Sequence, residues 1–125
     1  MKHPEYRLQK SVCQYLNYQY PDVLFLSDTV ASVKLSIPQQ VRNKAIQKSG
    51  FKCPDLIVLE PKGEYSGLFI ELKTETPFKK DGEIKSNEHL KGQYETIEKL
   101  NNKGFKAMFV WSFEQAKEEI DNYLK

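Results

Sequence analysis

The chain has 125 residues, 39% of them hydrophobic and 29% charged, which suits one globular domain over residues 1–125 and excludes a disordered or collagen-like polymer. Its longest apolar runs, LIVL at 56–59 and MFVW at 108–111, are too short to cross a bilayer, and MKHPEYRLQK lacks the apolar stretch of a secretory leader. A cytoplasmic, reducing setting is the expectation, with Cys13 and Cys53 read as buried thiols because they match no zinc-ligand or CxxC spacing.

A net charge of +2 says little about partners, but its distribution says more. Arg42, Lys44, Lys48 and Lys52 form one basic segment, and Lys79, Lys80, Lys85 and Lys91 form another. Such clusters can bind nucleic-acid phosphates by releasing counterions, or they can simply solvate a surface.

In chain order, Pro4 opens a helix running to about Tyr20, with Leu8, Val12 and Leu16 in one stripe and Pro21 as its stop. VLFLS at 23–27 reads as a strand, and a polar helix follows Pro38 and ends at the Gly50 cap. Leu56–Leu59 and Leu68–Lys73 read as strands separated by PKGEYSG at 61–67. So short a connection dictates an antiparallel hairpin, since a parallel pair needs a crossover of a dozen or more residues. Thr74–Ser86 is a charged loop. Asn87–Lys103 is a helix with Leu90, Tyr94, Ile97 and Leu100 on one side, ended by Gly104. Phe105–Trp111 is a strand, and Ser112 with Gln115 makes a capping box for a last helix that buries Phe113, Ala116, Ile120 and Leu124. The order α–β–(α)–β–β–α–β–α describes an α/β fold, a mixed sheet flanked by helices.

The hairpin carries the chemistry. Glu71 and Lys73 lie two apart on a strand and so share a face, with Cα atoms about 6.5 Å apart. With the turn centred on Gly63, position 55 falls opposite position 71, and Asp55 meets Glu71 on one face with Lys73 beside them. Two carboxylates facing each other beside apolar strands repel unless a cation joins them. Mg2+ or Mn2+, held by oxygen ligands, offsets that repulsion and brings Lewis acidity to a phosphate. A lysine ammonium alongside can stabilise the charge that develops during phosphodiester hydrolysis. Each signal alone has a plain structural alternative: Glu71 and Lys73 as a surface ion pair, Pro54–Asp55 as a strand opener. Glu5 continues the apolar stripe of the first helix, where it could equally complement the helix dipole, and Gln93 lies on the inward side of its helix, where a structural hydrogen bond would also account for it.

FKCPDLIVLEP, then GLFIELKT, then a helix bearing Gln93 and ending at Gly104, resemble the VRR-NUC (virus-type replication-repair nuclease) family, a branch of the PD-(D/E)xK nucleases. The resemblance runs from EYRLQ at 5–9 to the last helix. It implies a restriction-endonuclease-like core in which Asp55, Glu71 and the Leu72 backbone carbonyl bind a divalent metal and Lys73 is the catalytic lysine. Glu5 would complete the acidic cluster, directly or through water, and Gln93 would support the site or touch the substrate. Stand-alone members of this length are of phage or viral type, form homodimers and cut branched DNA such as Holliday junctions. A glycine is often found just before the Pro-Asp pair in the family; here Cys53 takes that position. The competing expectations are a nickase or flap nuclease, and a non-catalytic nucleic-acid-binding module with the same fold.

Overall fold

The computed structural model describes residues 4–28 and 35–125, so the first three residues of the N-terminal stretch lie outside the described ones. Among the described residues eight elements follow in order: α1 (Pro4–Gln19), β1 (Phe25–Ser27), α2 (Ile37–Ile46), β2 (Leu56–Val58), β3 (Leu68–Leu72), α3 (Glu88–Asn102), β4 (Lys106–Val110) and α4 (Phe113–Leu124). The sequence-derived order holds, with ends trimmed by a residue or two except in α2, which starts at Ile37, before Pro38, and ends at Ile46.

The four strands form one sheet in the order β1-β2-β3-β4. β1–β2 and β2–β3 are antiparallel, whereas β3 and β4, joined through α3, are parallel. Side-chain alternation divides the sheet between two cores. Leu68, Ile70 and Leu72 face α1 and α4, packing with Val12, Leu16, Ile120 and Leu124. Phe69 faces the other way, into the cluster that Ile97 and Leu100 of α3 form with Phe109. Three layers result, with the hairpin fully buried on its α1/α4 face and only partly covered on the α3 face, where Ile57 and Phe69 lie.

Local chemistry explains the boundaries. The Ser36 hydroxyl and the Gln39 side chain make a reciprocal capping box at the start of α2. Asn87 caps α3, and Gly104 leaves that helix with φ of 95°, a conformation that suits a residue without Cβ. At α4, the Ser112 hydroxyl accepts from the Gln115 N–H at 3.1 Å, but Gln115 Oε1 accepts from the Trp111 N–H, one residue before the cap. The expected reciprocal box is therefore displaced by one residue, and the last strand is tied to the last helix instead.

Two expectations are corrected. α2 ends at Ile46, well before Gly50, and buries none of its residues, leaving Ile37, Val41 and Ile46 exposed. Cys53 is exposed and Cys13 only half-buried, and both are free thiols. Cys53 sits outside regular structure, on the approach to β2, where no layer covers it. Among the described residues no helix is long and apolar enough to cross a membrane.

Candidate active site

Asp55 directly precedes β2, and Glu71 is the penultimate residue of β3. The ladder pairs Leu56 with Ile70, Ile57 with Phe69 and Val58 with Leu68, so one further step sets Asp55 opposite Glu71. The hairpin tip does not share this register, for Lys62 bridges Tyr65 across a turn with Gly63 at φ of 56°. The one-residue offset is absorbed between tip and strands.

The backbone fixes both acids. Asp55 Oδ2 accepts the Leu72 N–H at 2.8 Å, and the Asp55 carbonyl accepts the Asp28 N–H at 2.8 Å. Asp55 is thereby tied to both neighbouring strands. Lys73 lies just past β3, but its N–H still donates to the Val110 carbonyl at 2.8 Å, which prolongs the parallel ladder and holds its Cα beside the site.

Glu5, in the exposed first turn of α1, completes the group: one carboxylate oxygen from each of Glu5, Asp55 and Glu71 lies within 4.8 Å of the others. Glu71 is only 4% exposed. Burial pushes its carboxyl far above the usual range, from 4.5 to about 10, and a hydrogen bond with Asp55 and the Asp55 charge push the same way. Lys73 pulls it back and Glu5 adds a smaller upward push. Burial and the neighbouring Asp55 thus favour the protonated form of Glu71 when no cation is bound. A hard divalent cation fits this all-oxygen donor set.

Gln93 is buried on α3, and its Oε1 has no hydrogen-bond partner. The structural bond that could have explained this residue is not made by that atom. Lys73 and Glu5 line one open cleft of about 200 Å3 together with Thr74, Thr76 and Lys85. Lys85 makes an exposed ion pair with Glu75 at 3.9 Å. Lys79 and Lys80 lie exposed in the loop closed by the Phe78–Ile84 bridge, and Lys91 is exposed on α3. Lys44 is exposed on α2, and Lys48 and Lys52 are exposed on the segment after it. The Lys52 N–H donates to the buried Thr96 hydroxyl at 3.2 Å, which anchors that segment on α3.

Sequence reading missed two features. Lys99 near the end of α3 and Lys103 at its cap, four apart, share a hollow with Lys48, and their spacing could have suggested it. The second is a larger cleft on the other flank of Asp55, lined by Asn43, Gln47, Phe51 and Cys53. Partial desolvation, followed by the Asp28, Glu71 and Asp55 carboxylates, holds the Cys53 thiol above its usual pKa. No periodicity announces this cleft, because its walls come from three separate stretches of chain, 26–28, 43–47 and 51–57.

Fold and site together define a three-layer α/β domain whose central hairpin gathers carboxylates at one end of a mixed sheet. Two solved structures share this architecture. One, a VRR_NUC domain protein, is 20% identical, with 99% of this chain and 90% of that chain covered at a TM-score of 0.65. The other, a VRR_NUC domain, is 24% identical over 98% of this chain and 99% of that one, at a TM-score of 0.51. No family model matches the sequence, and no curated protein does. The chain has the VRR_NUC fold.

Proposed function

We propose that the protein is a VRR-NUC nuclease, a divalent-metal-dependent endonuclease that hydrolyses phosphodiester bonds in DNA. The observation that carries this reading is the convergence of Glu5, Asp55 and Glu71 within 4.8 Å, beside Lys73. A pure nucleic-acid-binding module gains nothing from clustered carboxylates that repel phosphate. The shared fold with VRR_NUC domains supports the same reading.

In this reading Asp55 and Glu71 hold Mg2+ or Mn2+, the Leu72 carbonyl is a further ligand, and Glu5 closes the set directly or through a water. The bound cation supplies Lewis acidity toward the phosphate. Asp55 keeps one oxygen on the Leu72 N–H, which orients the other toward the cluster. Lys73 offsets the negative charge that grows on the phosphate oxygens during displacement, a role in which one donor is worth about two or more orders of magnitude in rate. Gln93 presents a buried acceptor to the site or its substrate. The lysines at 44, 48, 52, 79, 80, 85 and 91 bind backbone phosphates on both flanks.

Branched DNA such as a Holliday junction, cut by a homodimer in the cytoplasm of a phage host, is the substrate and setting this reading favours. Two-fold symmetry presents two sites to strands of opposite polarity. The test is incubation with matched linear, nicked, flap and four-way DNA, with and without Mg2+ or Mn2+. Metal-dependent cutting that is fastest on the four-way substrate is the expected result. Preference for nicked or flap DNA would replace the junction assignment, and no cutting under any condition would overturn the enzyme.

A further inference from the structure

The cleft beside Asp55 has a volume of about 330 Å3, within the range of about 300–1,000 Å3 typical of small-molecule sites. It exists because α3 covers only part of its sheet face. Leu26, Ile57 and Phe69 align in register across that face, yet only Phe69 packs into the α3 core, and Leu26 stays 59% exposed. α2 and the segment after it lean over the gap without filling it. Phe51, 40% exposed, contributes an aromatic ring to the lining.

The polar part of the lining is of one kind. Asn43 and Gln47 are one turn apart on α2 and its cap, and Gln47 Nε2 donates to Asn43 Oδ1 at 3.3 Å. An amide carries both a donor and an acceptor, so Asn43 Nδ2 and Gln47 Oε1 remain to meet a ligand that also offers both. Aromatic surface, aliphatic wall and paired amides are the combination that recognises a nucleobase pulled out of a helix: stacking on its face and hydrogen bonding along its edge. Charge argues against a second phosphate here, because Asp28 and Asp55 also line the cleft.

Continuity with the carboxylates supplies the placement. Asp55 belongs both to the acidic cluster and to the cleft wall. A nucleotide whose phosphate lies at the cluster carries its base one sugar away. We propose that this cleft receives an unpaired nucleobase of the cut strand, next to the scissile phosphate, with Phe51 as the stacking platform and Asn43 and Gln47 reading the base edge. The inference rests on the nuclease reading for its meaning but not for its measurement. It would make an unpaired nucleotide, rather than junction shape alone, the feature selected at the site of cutting.

The test uses the full chain and oligonucleotides containing 2-aminopurine at a single unpaired position, with matched abasic and fully paired versions. In metal-free buffer, wild-type protein should change the 2-aminopurine emission. Phe51→Ala should suppress that change and lower the ratio of unpaired-strand to duplex affinity about tenfold, whereas Phe51→Trp should retain it. With Mn2+, an abasic site beside the cut should slow wild-type cleavage about tenfold and have no further effect in Phe51→Ala. Emission and affinity ratios unchanged by Phe51→Ala overturn the pocket, even if the protein cuts DNA well. A Phe51-dependent emission change in a protein that never cuts would keep the pocket and sink the nuclease instead.

Discussion

The Leu72 N–H donates to Asp55 Oδ2 at 2.8 Å across the hairpin, so the backbone of one strand holds the carboxylate of the other. This bond separates the structural work of Asp55 from the metal-binding role proposed for it. Asn presents the same acceptor to Leu72, but it lacks the charge a cation needs. Asp55→Asn should therefore fold and melt like wild type, lose DNA cleavage by about two or more orders of magnitude, and keep metal-free DNA binding. Robust single-turnover cleavage by Asp55→Asn would remove the metal-site assignment.

Lys73 offers a different test, because it stands just past the end of β3 with its backbone fixed and its side chain in the cleft shared with Glu5. Lys73→Ala leaves the ladder bond to Val110 intact. A loss of about a hundredfold in single-turnover rate at saturating DNA is the expected outcome. Weaker binding with an unchanged maximal rate would reassign Lys73 to ordinary phosphate contact.

Glu71 links stability to pH with a sign opposite to that of most carboxylates. Burial first, then its bond to Asp55 and the Asp55 charge, raise its folded pKa from 4.5 to about 10. The folded state thus binds this proton more tightly than the unfolded state. The stability it contributes is complete below pH 4.5 and is lost as pH rises toward about 10. Thermal melts of metal-free protein should fall across that window, and Glu71→Gln should flatten the fall. Mn2+ should reverse it, adding about 2.7 kcal/mol at a hundredfold excess over its Kd, with affinity rising with pH as the proton is displaced. Melts that ignore Mn2+ at pH 8 would argue that the acids hold no cation.

The hairpin shows why part of this site was legible. Its strands pair as counting outward from Gly63 predicts, since Asp55 and Glu71 lie equally far from it, although the tip itself pairs Lys62 with Tyr65 and is offset by one residue. Burial of one face is what fixes the strand register. Glu5 was legible for a similar reason, as the next position along the Val12 stripe of α1. Cys53 was not, because a thiol between an exposed segment and a strand has no periodic signal to tell which side it joins. Gln115 was misassigned because the spacing Ser-x-x-Gln fits two bonding patterns, and only the path of β4 selects the Trp111 N–H. The Asn43–Phe51 cleft depends on how far α3 extends over the sheet, which is a tertiary outcome.

Asp121 ties the end of α1 and the residue after it to α4. Its Oδ1 accepts the hydroxyls of Tyr15 and Tyr20, each at 2.6 Å. Burial alone would raise its pKa, but those two hydroxyls, with Lys117 and Lys125, draw it down from 3.8 to about 2. Its contribution is present above pH 3.8 and lost as pH falls toward about 2. Tyr15→Phe should cost about 1.5 kcal/mol at neutral pH, measured by urea denaturation, and should make the acid limb of the stability curve shallower. An unchanged midpoint would show that the α1–α4 contact is carried by its apolar residues alone.

Gln93 supplies the sharpest contrast between stability and function. An acceptor buried without a partner costs about 1–3 kcal/mol, so a fold selected for stability alone would place an apolar residue there. Gln93→Met keeps the length of the side chain and removes the orphaned oxygen. It should raise stability by about 1 kcal/mol, or roughly 3–5 °C in Tm for a chain of this size. If the oxygen serves the acidic site or its substrate, the same change should lower cleavage about tenfold while DNA affinity stays within about twofold, the pattern of a contact made mainly in the transition state. Both measurements belong together. A variant that is more stable and equally active would reduce Gln93 to a packing residue, whereas one that is less stable would mean that the amide has a bonding role in the core.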